Sequence, residues 1–215
     1  MTSLYANGGK RLLDAGVAGF GLLLLSPVFL LVAAIAVALS RGPVLYVQER
    51  VGKGGRIFKI VKFRTMQVAP GDEGPSITSA GDPRITPFGC ILRSLKIDEL
   101  PQLWNVLKGD MSIVGPRPEV PEYVQTYSSE QKQVLAVRPG LTDPSSISYL
   151  HEEVLLGDQA DPQRYYREVV LPHKLSLSLE YIQRMSLPYD LALITKTLAS
   201  MLQPRPRFSA DPVNR

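Results

Sequence analysis

The longest uninterrupted apolar stretch lies near the start of the chain. From Ala15 to Ser40 no residue carries a charge, and the run reads AGVAGFGLLLLSPVFLLVAAIAVALS. A helix needs about 20 apolar residues to cross the hydrocarbon core of a bilayer, and this run exceeds that length. A secretory signal fits poorly, because its apolar part spans only about 7–15 residues and ends at a small-residue cleavage site. Two features complicate a plain crossing. Ser26-Pro27 interrupts the run, and Pro27 lacks a backbone donor and crowds the Leu23 carbonyl, which predicts a bend. The Ser26 hydroxyl or a neighbouring element is the candidate to satisfy that carbonyl. Both flanks are basic, with Lys10 and Arg11 before the run and Arg41, Arg50, Lys53 and Arg56 after it. The positive-inside rule favours the same side for both. A helix–break–helix that enters and leaves one leaflet meets both demands, and a kinked single pass stands level with it. Lys10 and Arg11 are candidates for lipid head-group contact, with simple snorkelling as the alternative.

Beyond residue 43 the pattern shortens. Val44–Glu49 and Arg56–Met66 read as two strands around a Gly52-Lys53-Gly54-Gly55 turn, with Lys59, Lys62 and Arg64 interleaved among apolar residues. Residues 68–87 are rich in Gly, Pro, Asp and Ser and read as a loop. Phe88–Leu95 reads as a short helix. A second helix is predicted from Glu99 to about Lys108, with Leu100, Leu103, Trp104 and Leu107 on one face, Asp98 as N-cap and Gly109 as stop. Ser112–Pro118 reads as irregular, because Gly115, Pro116 and Pro118 forbid a helix. Helices are predicted over Val120–Tyr127 and Ser129–Val137, the latter with capping-box spacing between Ser128 and Gln131. Arg138–Ser146 reads as a loop. Pro162–Leu171, His173–Arg184 and Tyr189–Leu202 complete a helical final third, the last amphipathic enough to pack on the domain or lie on a membrane.

The expected fold class is α/β (α+β), mostly helical. It combines an N-terminal membrane-associated segment (1–42), a cytoplasmic domain (43–202) with a short β-hairpin and amphipathic helices, and a C-terminal tail (203–215). Composition adds little to this picture. The net charge of +4 fits phosphate-bearing partners and equally a generic soluble surface. One cysteine, Cys90, excludes an internal disulfide and a cysteine-rich metal site.

The candidate chemistry centres on Asp98-Glu99, with Arg93 and Lys96 just before it. Adjacent carboxylates suit Mg²⁺, which takes one or two carboxylates plus substrate phosphates. An ionised carboxylate can also attack phosphorus and form an acyl phosphate. An ordinary helix cap would look the same in sequence. Arg117, clamped in Gly115-Pro116-Arg117-Pro118, suits bidentate phosphate binding, with a structural salt bridge as the alternative. His151 and His173 read as structural or surface residues. No P-loop, GxGxxG, HExxH or serine elbow is present.

Three long motifs occur in order: FKIVKFRTM (58–66), LRSLKIDELPQLWNVLKGDMS (92–112) and VGPRP (114–118). Together with Ser26-Pro27 they resemble the bacterial sugar transferases, specifically the small monotopic polyprenyl-phosphate phosphoglycosyl transferases, over the chain to about Gly140. The resemblance implies a re-entrant membrane helix broken at Ser26-Pro27. It implies a ping-pong reaction in which Asp98 attacks the β-phosphorus of a UDP-sugar, releases UMP, and passes the sugar phosphate to polyprenyl (undecaprenyl) phosphate. Glu99 would handle metal or protons, with Asp98 and Glu99 the implied Mg²⁺ ligands. Arg93, Arg117 and Lys62 would hold phosphates or organise the acid pair. The implied place is the cytoplasmic face of the bacterial inner membrane, as a first step of glycan assembly. Membrane lipids are expected partners, nucleic acid is not, and a homodimer is left open. The stretch Asp143-Pro144-Ser145-Ser146-Ile147-Ser148-Tyr149 departs from many members, which leaves the sugar open. A scaffold that kept the fold and a metal-dependent lipid pyrophosphate hydrolase are the competing readings.

Overall fold

The computed structural model describes residues 5–39, 42–67 and 77–201. The C-terminal tail (203–215), Arg41, and residues 68–76 of the predicted loop lie outside the described residues.

The bend at Ser26-Pro27 is present. Helix α1 (Lys10–Leu24) and helix α2 (Ser26–Leu39) meet at 57°. Ser26 Oγ donates to Leu23 O at 2.8 Å, so the carbonyl that Pro27 crowds keeps a partner. Among the described residues no single helix is long and apolar enough to cross a membrane, and only this bent pair meets the criterion jointly.

Helix α1 is bound to the rest of the chain by buried polar contacts. Asp14 accepts from Ser112 Oγ at 2.7 Å and from Ile113 N at 3.1 Å. The residues read from sequence as lipid contacts are engaged within the protein. Arg11 donates to Val106 O at 2.5 Å and Leu107 O at 2.6 Å, at a helix end where carbonyls outnumber backbone donors. Lys10 pairs with Asp190, which also accepts from Tyr5 Oη at 2.5 Å and from Tyr181 Oη at 2.8 Å.

The hairpin forms as predicted, with small shifts in its ends. Strands β1 (Leu45–Val51) and β2 (Ile57–Phe63) run antiparallel, Leu45 opposite Phe63 and Val51 opposite Ile57. The predicted second strand ends early, and Met66 instead bridges Ile85. Helix α3 (Pro87–Ser94) follows, with Thr86 Oγ1 accepting from Gly89 N at 2.9 Å as its cap.

The next helix starts later than predicted. Ile97–Glu99 form a separate 3₁₀ turn, and α4 spans only Gln102–Lys108, ending at Gly109. Asp98 is therefore not its N-cap. Lys96 enters the turn in the left-handed region (φ 56°), and Pro101, lacking a donor, occupies the cap position. Trp104, expected on the buried face, is 53% exposed, whereas Leu103 is buried.

The glycine- and proline-punctuated segments hold a small sheet instead of irregular chain. Strand β3 (Ser112–Val114) pairs in parallel with β4 (Gly140–Thr142), Ser112 opposite Gly140. Three-residue strands show no readable alternation. Gly140 permits the close approach, since a Cβ there would lie 2.1 Å from Gly115 N.

Helix α5 (Pro121–Gln125) is shorter than predicted, and Gln131–Ala136 is 3₁₀, not α, although Ser128 and Gln131 exchange the predicted cap bonds. After β4 come α6 (Pro144–Ser148), capped by Asp143, α7 (Glu152–Gly157) and α8 (Pro162–Tyr165). The break predicted before His173 is absent. A π-helical turn, Tyr166–Val170, carries the chain into α9 (Leu171–Arg184), with Pro172 in the first turn of α9 where its missing donor is tolerated. Helix α10 (Leu187–Met201) closes the described chain.

Two of the four apolar clusters among the described residues bear most on this arrangement. Ala18, Ile60, Leu103, Val106 and Met111 join α1, β2 and α4. Tyr123, Tyr127, Val134, Leu155, Leu156, Tyr166 and Val170 underlie the helical final third.

Asp190→Ala removes the shared acceptor of Lys10, Tyr5 and Tyr181. Loss of one partner of a buried ion pair typically costs about 3–5 kcal/mol. Thermal unfolding in detergent is expected to show a loss of that size, and an unchanged melting temperature would show that α1 does not need this anchor.

Candidate functional site

Three segments distant in sequence converge on Glu99. Lys62 lies on β2, one residue before its end, Glu99 ends the 3₁₀ turn, and Arg117 lies in the turn after β3. Lys62 Nζ donates to Glu99 Oε1 at 2.9 Å. Arg117 Nη2 donates to the same oxygen at 2.6 Å, and Arg117 Nη1 to Oε2 at 3.3 Å. Both Glu99 oxygens are thus engaged by cations.

Each cation is held by a separate local device. Asn105 of α4 acts as a side-chain continuation of the sheet. Its Oδ1 accepts from Val61 N at 3.1 Å and its Nδ2 donates to Lys59 O at 2.7 Å, which fixes β2 on either side of Ile60, immediately before Lys62. The Arg117 turn is clamped from two directions. Gly115 N donates to Thr142 O at 2.9 Å and Gly140 N to Pro116 O at 2.9 Å. On the other side Val51 N donates to Glu119 O at 3.0 Å and Arg50 Nη1 to Pro118 O at 3.1 Å.

Asp98 has the opposite environment. It is 7% exposed, and its Oδ1 is buried with no hydrogen-bond partner among the described residues. Burial and then the neighbouring Glu99 charge push its carboxyl above the ordinary aspartate range, against the pull of Lys62, Arg93 and Lys96. Glu99 is pushed up by burial too, but Arg117 and Lys62 outweigh that and hold it well below the usual carboxylate range. Burial lowers the Lys62 amine, and Glu99 raises the Arg117 guanidinium. Two adjacent carboxylates are thereby driven apart, one kept ionised as an ion-pair partner and one left with an available oxygen.

Arg93 stands next to this pair on α3. Its Nη1 donates to Thr65 Oγ1 at 3.4 Å, and its Nε donates to Glu153 Oε1 at 3.1 Å. Thr65 is brought close because Gly89 has no side chain, and a Cβ there would lie 2.0 Å from Thr65 O. The sequence-predicted residues Asp98, Glu99, Lys62, Arg117 and Arg93 therefore gather in one place, while Ser26-Pro27 forms the helix break and Lys10 and Arg11 lie in α1. Sequence reasoning missed Arg50, Thr65, Asn105, Glu119 and Glu153. Arg50 carried a signal as a flanking cation, and Thr65 and Asn105 as parts of the first and second motifs.

Among the described residues no group of three His, Cys, Asp or Glu converges as a metal site. The free Asp98 oxygen fits a hard cation that brings most of its oxygen ligands with the substrate. Glu99 does not fit as a second ligand while both its oxygens serve Lys62 and Arg117.

Glu99→Gln leaves two cations facing a neutral amide. The expected loss is about 1–3 kcal/mol, the penalty for stranding partly buried partners. Glu99, with a depressed pKa, contributes stability that is present above its unfolded value near about 4.3 and lost as pH falls through the folded value. Asp98 has the reverse sign, so Asp98→Asn is expected to leave the melting temperature at pH 7 unchanged or higher. Paired thermal melts of the two variants check both expectations, and a large loss for Asp98→Asn would contradict this assignment.

The family profile described as bacterial sugar transferase matches residues 5–204. A UDP-glucose:undecaprenyl-phosphate glucose-1-phosphate transferase of Caulobacter vibrioides is 40% identical over 202 residues, covering 90% of this chain and 69% of that protein. A UDP-N-acetylgalactosamine-undecaprenyl-phosphate N-acetylgalactosaminephosphotransferase of Aeromonas hydrophila is 36% identical, covering 90% of this chain and 43% of that protein. The exopolysaccharide production protein ExoY of Rhizobium meliloti is 35% identical, covering 89% of this chain and 84% of that protein. The chain thus spans less than half of the Aeromonas protein and most of the Rhizobium one. The motif residues that gather at the acid pair lie within the matched region, and the chain belongs to the bacterial sugar transferase family.

Proposed function

We propose that this chain is an enzyme that transfers a sugar 1-phosphate from a UDP-sugar to polyprenyl phosphate through a covalent intermediate on Asp98. The observation that carries this reading is the buried, unpartnered Asp98 oxygen beside a carboxylate already neutralised by Lys62 and Arg117. A nucleophile needs a free lone pair, and both Glu99 oxygens already accept from cations. An oxygen of Asp98 attacks the β-phosphorus, the bond to the bridging oxygen breaks, and UMP leaves with that electron pair. The sugar phosphate remains as an acyl phosphate on Asp98. An oxygen of the acceptor phosphate then attacks the same phosphorus and releases the Asp98 carboxylate. Arg93, Arg117 and Lys62 supply positive charge beside the transferring group, so much of the rate gain comes from positioning and charge neutralisation. Mg²⁺, when bound, would be held by an Asp98 oxygen with phosphate oxygens of the substrate and would offset the diphosphate charge.

The lipid acceptor calls for a site at a membrane surface. In α1 and α2 the residues Leu12, Phe20, Leu23, Leu24, Leu30, Leu31 and Val37 are all more than half exposed, which does not suit a helix pair in water. The bent pair fits a segment that dips into one leaflet of the inner membrane and leaves the rest of the chain on the cytoplasmic face. Single cysteines placed near residue 3 and at Lys53, in a Cys90→Ser background, are expected to label from the same side of inverted vesicles. Labelling from opposite sides would establish a crossing instead.

Asp98→Asn is expected to lower UMP release by at least about a thousandfold, as removal of a covalent nucleophile does. Intact-protein mass spectrometry of the parent protein with UDP-sugars is expected to show a sugar-phosphate adduct that is absent from Asp98→Asn. Substantial turnover by the variant would remove Asp98 from the role.

The acid limb of kcat/KM should follow protonation of Asp98. Because that carboxyl is raised, activity is expected to fall at a pH above the ordinary aspartate value of about 3.9, while Glu99 stays ionised. A pH–rate profile flat down to that value would contradict the assignment.

A further inference from the structure

Arg93 already holds an anion. Its Nε and Nη2 both donate to Glu153 Oε1, the Nε bond at 3.1 Å, and the acceptor comes from the first turn of α7, 60 residues away in sequence. This pair differs from the two that engage Glu99. Glu99 has a side chain 13% exposed between Lys62 and Arg117, whereas the Glu153 side chain is 33% exposed and the Arg93 side chain 19%. The guanidinium is rooted in the protein and the carboxylate reaches it from the solvent side.

Helix α7 does not need the Glu153 carboxylate to stay in place. Leu155 and Leu156 are buried in the tyrosine-rich cluster, and Glu152 Oε2 accepts from Lys174 Nζ at 2.7 Å. Ala80 N donates to the backbone Glu153 O at 2.7 Å. The side chain can therefore leave Arg93 while its helix stays docked. A guanidinium fork offers nearly the same geometry to a carboxylate and to a phosphate. Arg93 is one of three cations, with Lys62 and Lys96, whose charge acts on the Asp98 carboxyl.

We propose that Glu153 is an internal stand-in for a substrate phosphate, occupying Arg93 in the unliganded protein and yielding it to an incoming phosphate group. The inference rests on the transfer reaction proposed above and assigns a further residue to its binding step. Two substrates carry the required chemistry, the diphosphate of the nucleotide sugar and the phosphate of the lipid acceptor. The stand-in keeps Arg93 oriented and charge-balanced until one of them arrives, and its displacement subtracts from the affinity for that substrate.

The test uses the full chain in detergent in an Asp98→Asn background, in which turnover is expected to be suppressed. UDP-glucose and undecaprenyl phosphate are titrated separately by calorimetry. Glu153→Gln is expected to tighten binding of at least one of them by about three- to tenfold, the range for releasing a partly exposed charge-assisted pair. The ligand that responds identifies which phosphate Arg93 takes. Arg93→Gln is expected to weaken the same ligand, and in that background Glu153→Gln should add nothing. A residue that only braced the fold would not tighten ligand binding when removed. Unchanged or weaker binding of both ligands to Glu153→Gln, with Arg93→Gln still weakening one, overturns the stand-in alone. No effect of Arg93→Gln on either ligand overturns the phosphate-holding role beneath it. If Glu153→Gln does not fold, Glu153→Asp, with its shorter reach, carries the same expectation and the same reversal.

Discussion

Two cations from distant parts of the chain, Lys62 of β2 and Arg117 of the turn after β3, meet on the Glu99 carboxylate. Removing water from two adjacent carboxylates would ordinarily leave both protonated or both exposed. Here one has both oxygens engaged by cations, and its neighbour pays for the proximity with a raised pKa and an unpartnered oxygen. The surrounding elements can be understood from this meeting. The hairpin is fastened to α4 by Asn105 so that Lys62 is aimed, and the Arg117 turn is fastened to both sheets so that its guanidinium cannot swing away. A site that stabilises developing charge gains from such rigid placement, because little reorganisation is left for the moment of reaction.

The N-terminal helices share in that rigidity. Asp14 bonds to the start of β3, Arg11 to the end of α4, and Lys10 to Asp190 of α10. α1 therefore touches the elements that flank the acid pair, and Ala18 is fully buried against Ile60 and Val106. Basic residues near an apolar run are often read as snorkelling to lipid. In this chain they bond a helix end and an ion-pair partner, so the protein itself fixes α1 against the elements around Asp98. The bend survives without a lost carbonyl because Ser26 supplies the donor that Pro27 lacks.

Much of the local structure was legible where it depends on near neighbours. The Ser26-Pro27 bend, its hydroxyl compensation, the hairpin and the Ser128–Gln131 cap all rest on residues a few positions apart. The acid pair itself was visible as Asp98-Glu99, and the motif resemblance brought Lys62, Arg93 and Arg117 to it. What escaped was long-range. Glu153 reaches Arg93 over 60 positions, and no local pattern marks that acid as a partner. Strands β3 and β4 are three residues each and flanked by glycine and proline, so their pairing was hidden by the residues that make their close approach feasible. The late start of α4 follows from Pro101 and the left-handed Lys96, a combination that reads in sequence as an ordinary capped helix.

That misreading of Asp98 has a physical lesson. A helix cap would have given its carboxylate backbone donors and lowered its pKa, leaving a stable but occupied group. The chain instead places a non-glycine residue in the left-handed region, Lys96 at φ 56°, just before the Ile97–Glu99 turn, and α4 begins only at Gln102. Such a conformation persists only where surrounding structure overrides it, and it clusters at working sites. The extra turn separates Asp98 from the α4 amides that would have quenched it and keeps Glu99 within reach of both cations. The left-handed backbone at Lys96 and the ion pairs joining Lys62, Glu99 and Arg117 are therefore two sides of one arrangement, in which the clamp on Glu99 holds in place a neighbour that a longer α4 would have capped.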